Sequence, residues 1–233
     1  MLLKRKKIIK AIMITFKCRL FIVMFFCSML WSSSAFSQTL IKVVDQNNTP
    51  LPNAVIEVVT SKSIVANDNK PDTYVMDQVD KAFAPEVLVV PVNSLVSFPN
   101  SDDIRHHVYS FSPAKTFELK LYSGKPKSPV RFDNSGVVVM GCNIHDAMVG
   151  YIYVTDREQV YITDKNGEVA VNEALSVNSQ LQVWHAKSTK GVEKQTLFTL
   201  NQEKLSQKVL TLELPVNTAK PRDSFEELAL HEH

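Results

Sequence analysis

The chain has 233 residues, with 26 basic and 24 acidic side chains and a formal net charge of +2. Seven of the basic residues and none of the acidic ones fall within residues 1–37. Without that segment the charge is −5, which gives no support to a nucleic-acid-binding role, and the length left over suits one large or two small domains with proper cores.

In chain order, residues 1–19 carry the charges, residues 20–31 are a nearly unbroken apolar run, and residues 32–37 are mostly small, with Ala35 and Ser37. This order predicts a secretory signal cleaved after Ser37. The run is shorter than the roughly 20 residues of a membrane span. The mature chain is therefore expected to be exported, periplasmic and without a stable span; the alternative is an uncleaved N-terminal anchor. Strands are predicted at 40–44 and 54–59, joined by the turn-rich residues 45–53. Residues 61–84 are polar and mixed and read as a loop. Further strands are expected at 86–91, 94–98, 106–111, 116–121, 136–140 and 149–154. After Asp156 they are expected at 159–163, 168–171, 180–186, 194–200 and 207–214. Asp164-Lys165-Asn166-Gly167 predicts a hairpin turn, because Asn-Gly tolerates positive φ. No long segment carries a helical stripe, and residues 215–233 read as a polar tail with a short helix at 225–230. The predicted fold class is all-β, a sandwich or barrel. Residues 84–155 form one unit, 156–214 a second set of strands, and 38–83 the N-terminal strands and loop.

Cys18 and Cys27 lie in the signal, so Cys142 is the single cysteine of the mature chain. A lone cysteine forms no internal disulfide and is a reactive liability in an oxidising compartment unless something occupies it. It stands in Gly141-Cys142-Asn143-Ile144-His145-Asp146-Ala147-Met148, with an imidazole three residues on and a thioether three further. A second imidazole is available upstream at His106-His107. A soft thiolate, two imidazoles and a weak axial methionine are the donor set of a blue-copper site. Each donor alone reads as core or surface; the combination, at this spacing and between strands, points to copper. A structural zinc site rarely recruits methionine. His185 lies in an expected strand and reads as structural, while His231 and His233 lie in the tail. There is no Cys-x-x-Cys-His for covalent haem and no Ser-His-Asp or glycine-rich phosphate motif.

Val89-Val90-Pro91-Val92-Asn93-Ser94-Leu95-Val96-Ser97-Phe98-Pro99-Asn100 leads to His106-His107-Val108. Phe132-Asp133-Asn134-Ser135-Gly136-Val137-Val138-Val139-Met140-Gly141-Cys142 leads to His145, Met148 and Gly150-Tyr151-Ile152-Tyr153-Val154. Over these stretches the chain resembles the cupredoxins, in particular plastocyanin- and amicyanin-like proteins, and is similar to exported proteins labelled methylamine utilization proteins. The resemblance implies a Greek-key β-sandwich or barrel and one type 1 copper site, with His106, Cys142, His145 and Met148 as ligands. His107 falls where relatives usually have an asparagine that ties the two ligand loops together. It stands either beside the ligands or as the ligand itself. The His-Val-Tyr run that follows favours His106, since a shift of one residue moves the imidazole to the other face of a strand. The resemblance also implies an electron carrier rather than an enzyme. Electrons would pass through His145, with Ile144 and Ala147 as an apolar contact patch, to a redox protein such as a cytochrome or dehydrogenase.

Residues 43–55 are similar to the opening of carboxypeptidase-regulatory or transthyretin-like sandwiches, and residues 162–169 to their next hairpin. Either 38–62 and 156–214 form one discontinuous sandwich with the copper unit inserted, or the N-terminal strand belongs to the copper unit and the C-terminal part stands apart. Three functions compete: an exported blue-copper electron shuttle, a copper-binding carrier without a redox circuit, and a β-sandwich interaction module. A copper oxidase or nitrite reductase needs further copper centres with extra histidine pairs such as His-Cys-His, which residues 141–148 lack.

Overall fold

The computed structural model describes residues 38–59 and 71–217. The expected signal, the 225–230 helix, His231 and His233 lie outside them. Among the described residues there are 17 strands and one four-residue helix, so the protein is all-β. The chain opens with β1 (Thr39–Val44) and β2 (Val55–Val59). Three short strands follow, β3 (Thr73–Val75), β4 (Asp77–Val79) and β5 (Ala82–Ala84). Next come β6 (Val87–Pro91), β7 (Ser94–Ser97), β8 (His106–Ser112), β9 (Lys115–Tyr122), β10 (Val130–Phe132), β11 (Gly136–Cys142) and β12 (His145–Thr155). The last are β13 (Val160–Ile162), β14 (Glu168–Val171), β15 (Gln180–Trp184), β16 (Thr196–Thr199), the helix α1 (Gln202–Leu205) and β17 (Leu210–Glu213).

The central unit runs from β3 to β12. Its main sheet has the order β6-β12-β11-β8-β9, and a smaller sheet has the order β10-β7-β3. Side chains alternate across a strand, so β11 turns Val138, Met140 and Cys142 inward to meet Phe98 and Phe132 in one core. Gly150 on β12 lets Phe83 lie against the strand; a Cβ there would come within 2.8 Å of the ring. Residues 71–84, expected as part of a loop, instead supply β3, β4 and β5. β3 pairs in parallel with β7, and β4 and β5 form an antiparallel ribbon around Asp80 and Lys81. Three-residue strands are too short to show alternation in sequence, and only single buried anchors, Met76, Gln78 and Phe83, hold them. Strand β10 is as short, and α1 is a single turn with no buried residue, so neither shows a pattern in sequence.

The flanking unit is a second sandwich. One sheet has the order β14-β1-β17, the other β13-β2-β15-β16. They face each other across Ile41, Val43, Ile56, Leu181, Val183 and Leu212. β1 pairs with β14 and β17, and β2 with β13 and β15, so both N-terminal strands lie in sheets with the C-terminal ones. The turn at 164–167 differs from the expected hairpin, because β13 and β14 lie in different sheets and the turn carries the chain across the sandwich. Long-range contacts decide this. The Val43 amide donates to the Gly167 carbonyl at 2.8 Å, and the Asp164 carboxylate holds the amides of Asn166 and Glu168 at 2.8 and 2.9 Å. Gly167 has φ +70°, and a Cβ there would meet the Val43 carbonyl at 2.6 Å.

Val55, Val87, Val137, Tyr153 and Trp184 form a third core, where the flanking unit covers one end of the main sheet. Glu57 lies buried beside it and accepts a hydrogen bond from the Thr155 hydroxyl. Burial raises the Glu57 pKa above the ordinary 4.5, against the lowering effect of hydrogen bonds from Thr155 and Tyr153. A raised carboxyl pKa makes the fold most stable where the group is protonated in both states, and stability then falls as pH rises from the unfolded pKa through the folded one. The Glu57→Gln variant should therefore lack this fall. Melting temperatures measured from mildly acidic to neutral pH should show the variant gaining on the wild type as pH rises; parallel curves would refute the burial effect.

Candidate metal centre

Strands β11 and β12 are joined by Asn143 and Ile144 alone, which sets Cys142 directly opposite His145. A spacing of three residues thus becomes a facing pair. On its other side Cys142 pairs with Val108 of β8, two residues on from His106 at the head of that strand. Register shifts between Gly141 and Cys142 and between His106 and Val108 mark the strands that carry these residues. Such irregularities bend a strand and re-aim a side chain.

The Cys142 Sγ lies 3.5 Å from His106 Nδ1 and 3.9 Å from His145 Nδ1. The three donor atoms all fall within 4.8 Å of one another. His106 and Cys142 are buried and His145 is half-buried. Met148 is 1% exposed and shares its core with Cys142, Met140 and Phe98. Cys142 has no disulfide partner. His107 does not join the cluster. Its Nε2 lies 2.9 Å from Glu118 Oε1, without the alignment of a hydrogen bond, and its ring meets Tyr109 edge-on at 6.1 Å. Ile144 is 49% exposed, and Asp146 and Ala147 are exposed beside the half-buried His145. His185 is buried away from the cluster, with its Nε2 3.2 Å from the Pro52 carbonyl, and burial lowers its pKa.

Sequence reasoning missed the residues behind the donors. Asp102 Oδ2 lies 2.6 Å from His106 Nε2. Burial works against its charge, but the His106 hydrogen bond and the amides of Lys81 and Asp80 outweigh that and hold its pKa below the usual value. Asn100 donates to the carbonyls of Ile104 at 2.8 Å and Tyr122 at 3.0 Å, closing the loop that leads to His106. Burial pushes the Tyr122 phenol up to about 12; a hydrogen bond from Gln78 opposes this, and Asp77 and Cys142 add to it. Tyr122 donates to the Phe98 carbonyl at 2.7 Å. In sequence, Ser101-Asp102-Asp103 reads as an ordinary polar loop, and its one signal is a carboxylate four residues before a candidate ligand.

The donor set fits copper. Sulfur and imidazole nitrogen converge in a buried pocket, no carboxylate is among the three donors, and a thioether lies in the same core. Hard cations prefer oxygen, whereas these donors suit copper in both oxidation states. Fold and site together define an all-β protein with a largely buried cysteine–histidine–histidine cluster.

No known family profile and no curated protein matches the chain. Among solved structures, a copper-containing nitrite reductase from Thermus scotoductus SA-01 aligns at 25% identity, covering 42% of this chain and 25% of its own length, with a TM-score of 0.34. A purple cupredoxin from Nitrosopumilus maritimus aligns at 20% identity over 36% of this chain and 99% of its own, with a TM-score of 0.31. A mutant amicyanin in its reduced state aligns at 18% identity over 42% of this chain and 97% of its own, with a TM-score of 0.31.

Proposed function

We propose that the protein is an exported blue-copper carrier of single electrons of the cupredoxin kind. The observation that carries this is the convergence of His106 Nδ1 and His145 Nδ1 on the Cys142 sulfur inside a β-sandwich core. Copper held by His106, Cys142 and His145, with Met148 as a weak fourth donor, would supply a one-electron couple at a single type 1 site. The chain's own part is to hold the donors still. Cys142 and His106 stand on adjacent strands of one sheet, and His145 is tied to Cys142 by the shortest of turns. His145 also lies nearest the surface, among exposed Ile144 and Ala147. An apolar rim of that size suits brief, weak docking. The −5 charge that remains without residues 1–37 favours a basic redox partner such as a cytochrome; a dehydrogenase is the other class we consider. Export rests on the signal-like order of residues 1–37, and a link to amine oxidation rests on resemblance alone.

Copper(II) added to protein recovered from the exporting compartment should give one intense visible band at one copper per chain, and voltammetry should give a reversible one-electron wave. Copper bound without a reversible wave selects the non-redox carrier, and absence of the band refutes the site. The docking patch has its own test. Ala147→Lys should slow electron transfer to a basic cytochrome by roughly tenfold at low salt, the lower end of charge-steering effects, and the deficit should shrink at high salt. The copper spectrum should not change. Equal rates for the two proteins at every salt concentration would place the electron exit elsewhere.

A further inference from the structure

We propose that Asp102 is a positioning residue of the metal centre: its carboxylate fixes the proton of His106 on Nε2 and so turns an unprotonated Nδ1 toward Cys142. This rests on the copper reading above. The two side chains are 2.6 Å apart, with His106 fully buried and the Asp102 side chain 10% exposed. An ionised carboxylate only accepts hydrogen bonds, so the imidazole must donate from Nε2. A neutral imidazole that donates from one nitrogen keeps its lone pair on the other. That other nitrogen is Nδ1, the atom 3.5 Å from the Cys142 sulfur.

The carboxylate is itself clamped. Its Oδ1 accepts the Asp80 amide at 2.6 Å and its Oδ2 the Lys81 amide at 3.0 Å. Asp80 and Lys81 have φ of 53° and 60°, and this pair of left-handed residues in the β4–β5 turn presents two successive amides to one carboxylate. The Asp102 amide donates to Asn100 Oδ1 at 3.1 Å, which fixes the backbone from the other side. The short ribbon thus acts as a strap that holds the anion behind His106. A carboxylate placed behind a ligating imidazole orients the ring and raises its basicity. Its negative charge also favours the more highly charged state of a bound metal.

The test uses the full exported chain with Asp102→Ala, which removes the anchor, and Asp102→Asn, which keeps the shape and removes the charge. In metal-free protein, nitrogen NMR of the imidazoles should find His106 protonated on Nε2 in the wild type and exchanging between tautomers in Asp102→Ala. Copper(II) affinity should fall roughly 10–100-fold in both variants, and the midpoint potential should rise while the visible band persists. A wild-type tautomer in Asp102→Ala, or unchanged affinity and potential in both variants, would reduce Asp102 to a turn anchor and overturn the proposal. If Asp102→Ala does not fold, Asp102→Asn decides, an unchanged potential and affinity overturning the proposal. A wild type without the copper band refutes the copper reading alone, because the tautomer comparison needs no metal.

Discussion

Replacing Cys142 with serine should abolish the intense visible band of the copper-loaded protein while leaving the fold in place. The sulfur is the atom on which both imidazole nitrogens converge, at 3.5 and 3.9 Å, and no other cysteine stands among the described residues. Thiolate-to-metal charge transfer requires an ionised sulfur, and a serine hydroxyl is neither ionised at neutral pH nor soft. The change in volume is small. The cost in stability should therefore stay near 1 kcal/mol, within the ordinary range for single substitutions. Far-UV circular dichroism and the melting temperature of metal-free protein check the fold; absorption after copper(II) addition checks the site. Met148→Leu is the contrast. It removes the thioether proposed as the weak fourth donor, so colour should persist and the potential should rise. A serine variant that kept the band would show that the sulfur assignment is wrong.

Trp184→Ala should destabilise the protein by about 3–5 kcal/mol, the cost of emptying a large aromatic site in a core. Trp184 is fully buried where the flanking sandwich meets the main sheet. Its ring meets Tyr151 edge-on at 5.5 Å and Tyr153 at 5.8 Å, and its Nε1 donates to the Val192 carbonyl at 2.6 Å. Truncation leaves both a cavity and an unsatisfied carbonyl. It also loosens the packing that joins the two units. Denaturation followed by the copper band, which reports on the central unit, and by circular dichroism, which reports on both, should coincide in the wild type and separate in the variant. A loss below about 0.5 kcal/mol, the level of an ordinary surface change, with the two transitions still coincident in the variant, would mean that the junction couples nothing.

Much of the site could be read from the chain because its key spacing is local. Cys142 and His145 face each other across a two-residue turn, and apolar alternation marks β11 and β12 on both sides of it. His106 could be named as well, since β8 is long enough to separate a buried face from the one that carries His107. Asp102 could not, because its meaning depends on the amides of Asp80 and Lys81, about twenty residues earlier in a ribbon too short to announce itself. The 164–167 turn shows the same limit. Its glycine and asparagine promise a reversal, but whether the chain returns to the same sheet or crosses to the other is decided by Val43 of β1.

By itself the sequence determined the all-β character, most of the strands and the thiol–imidazole–thioether grouping, since each follows from neighbours a few residues apart. Tertiary structure alone decided that β1 lies between β14 and β17, that β2 lies between β13 and β15, and that a carboxylate stands behind His106. Those outcomes depend on which faces bury one another over more than a hundred residues of chain, and local propensity carries no record of such pairings.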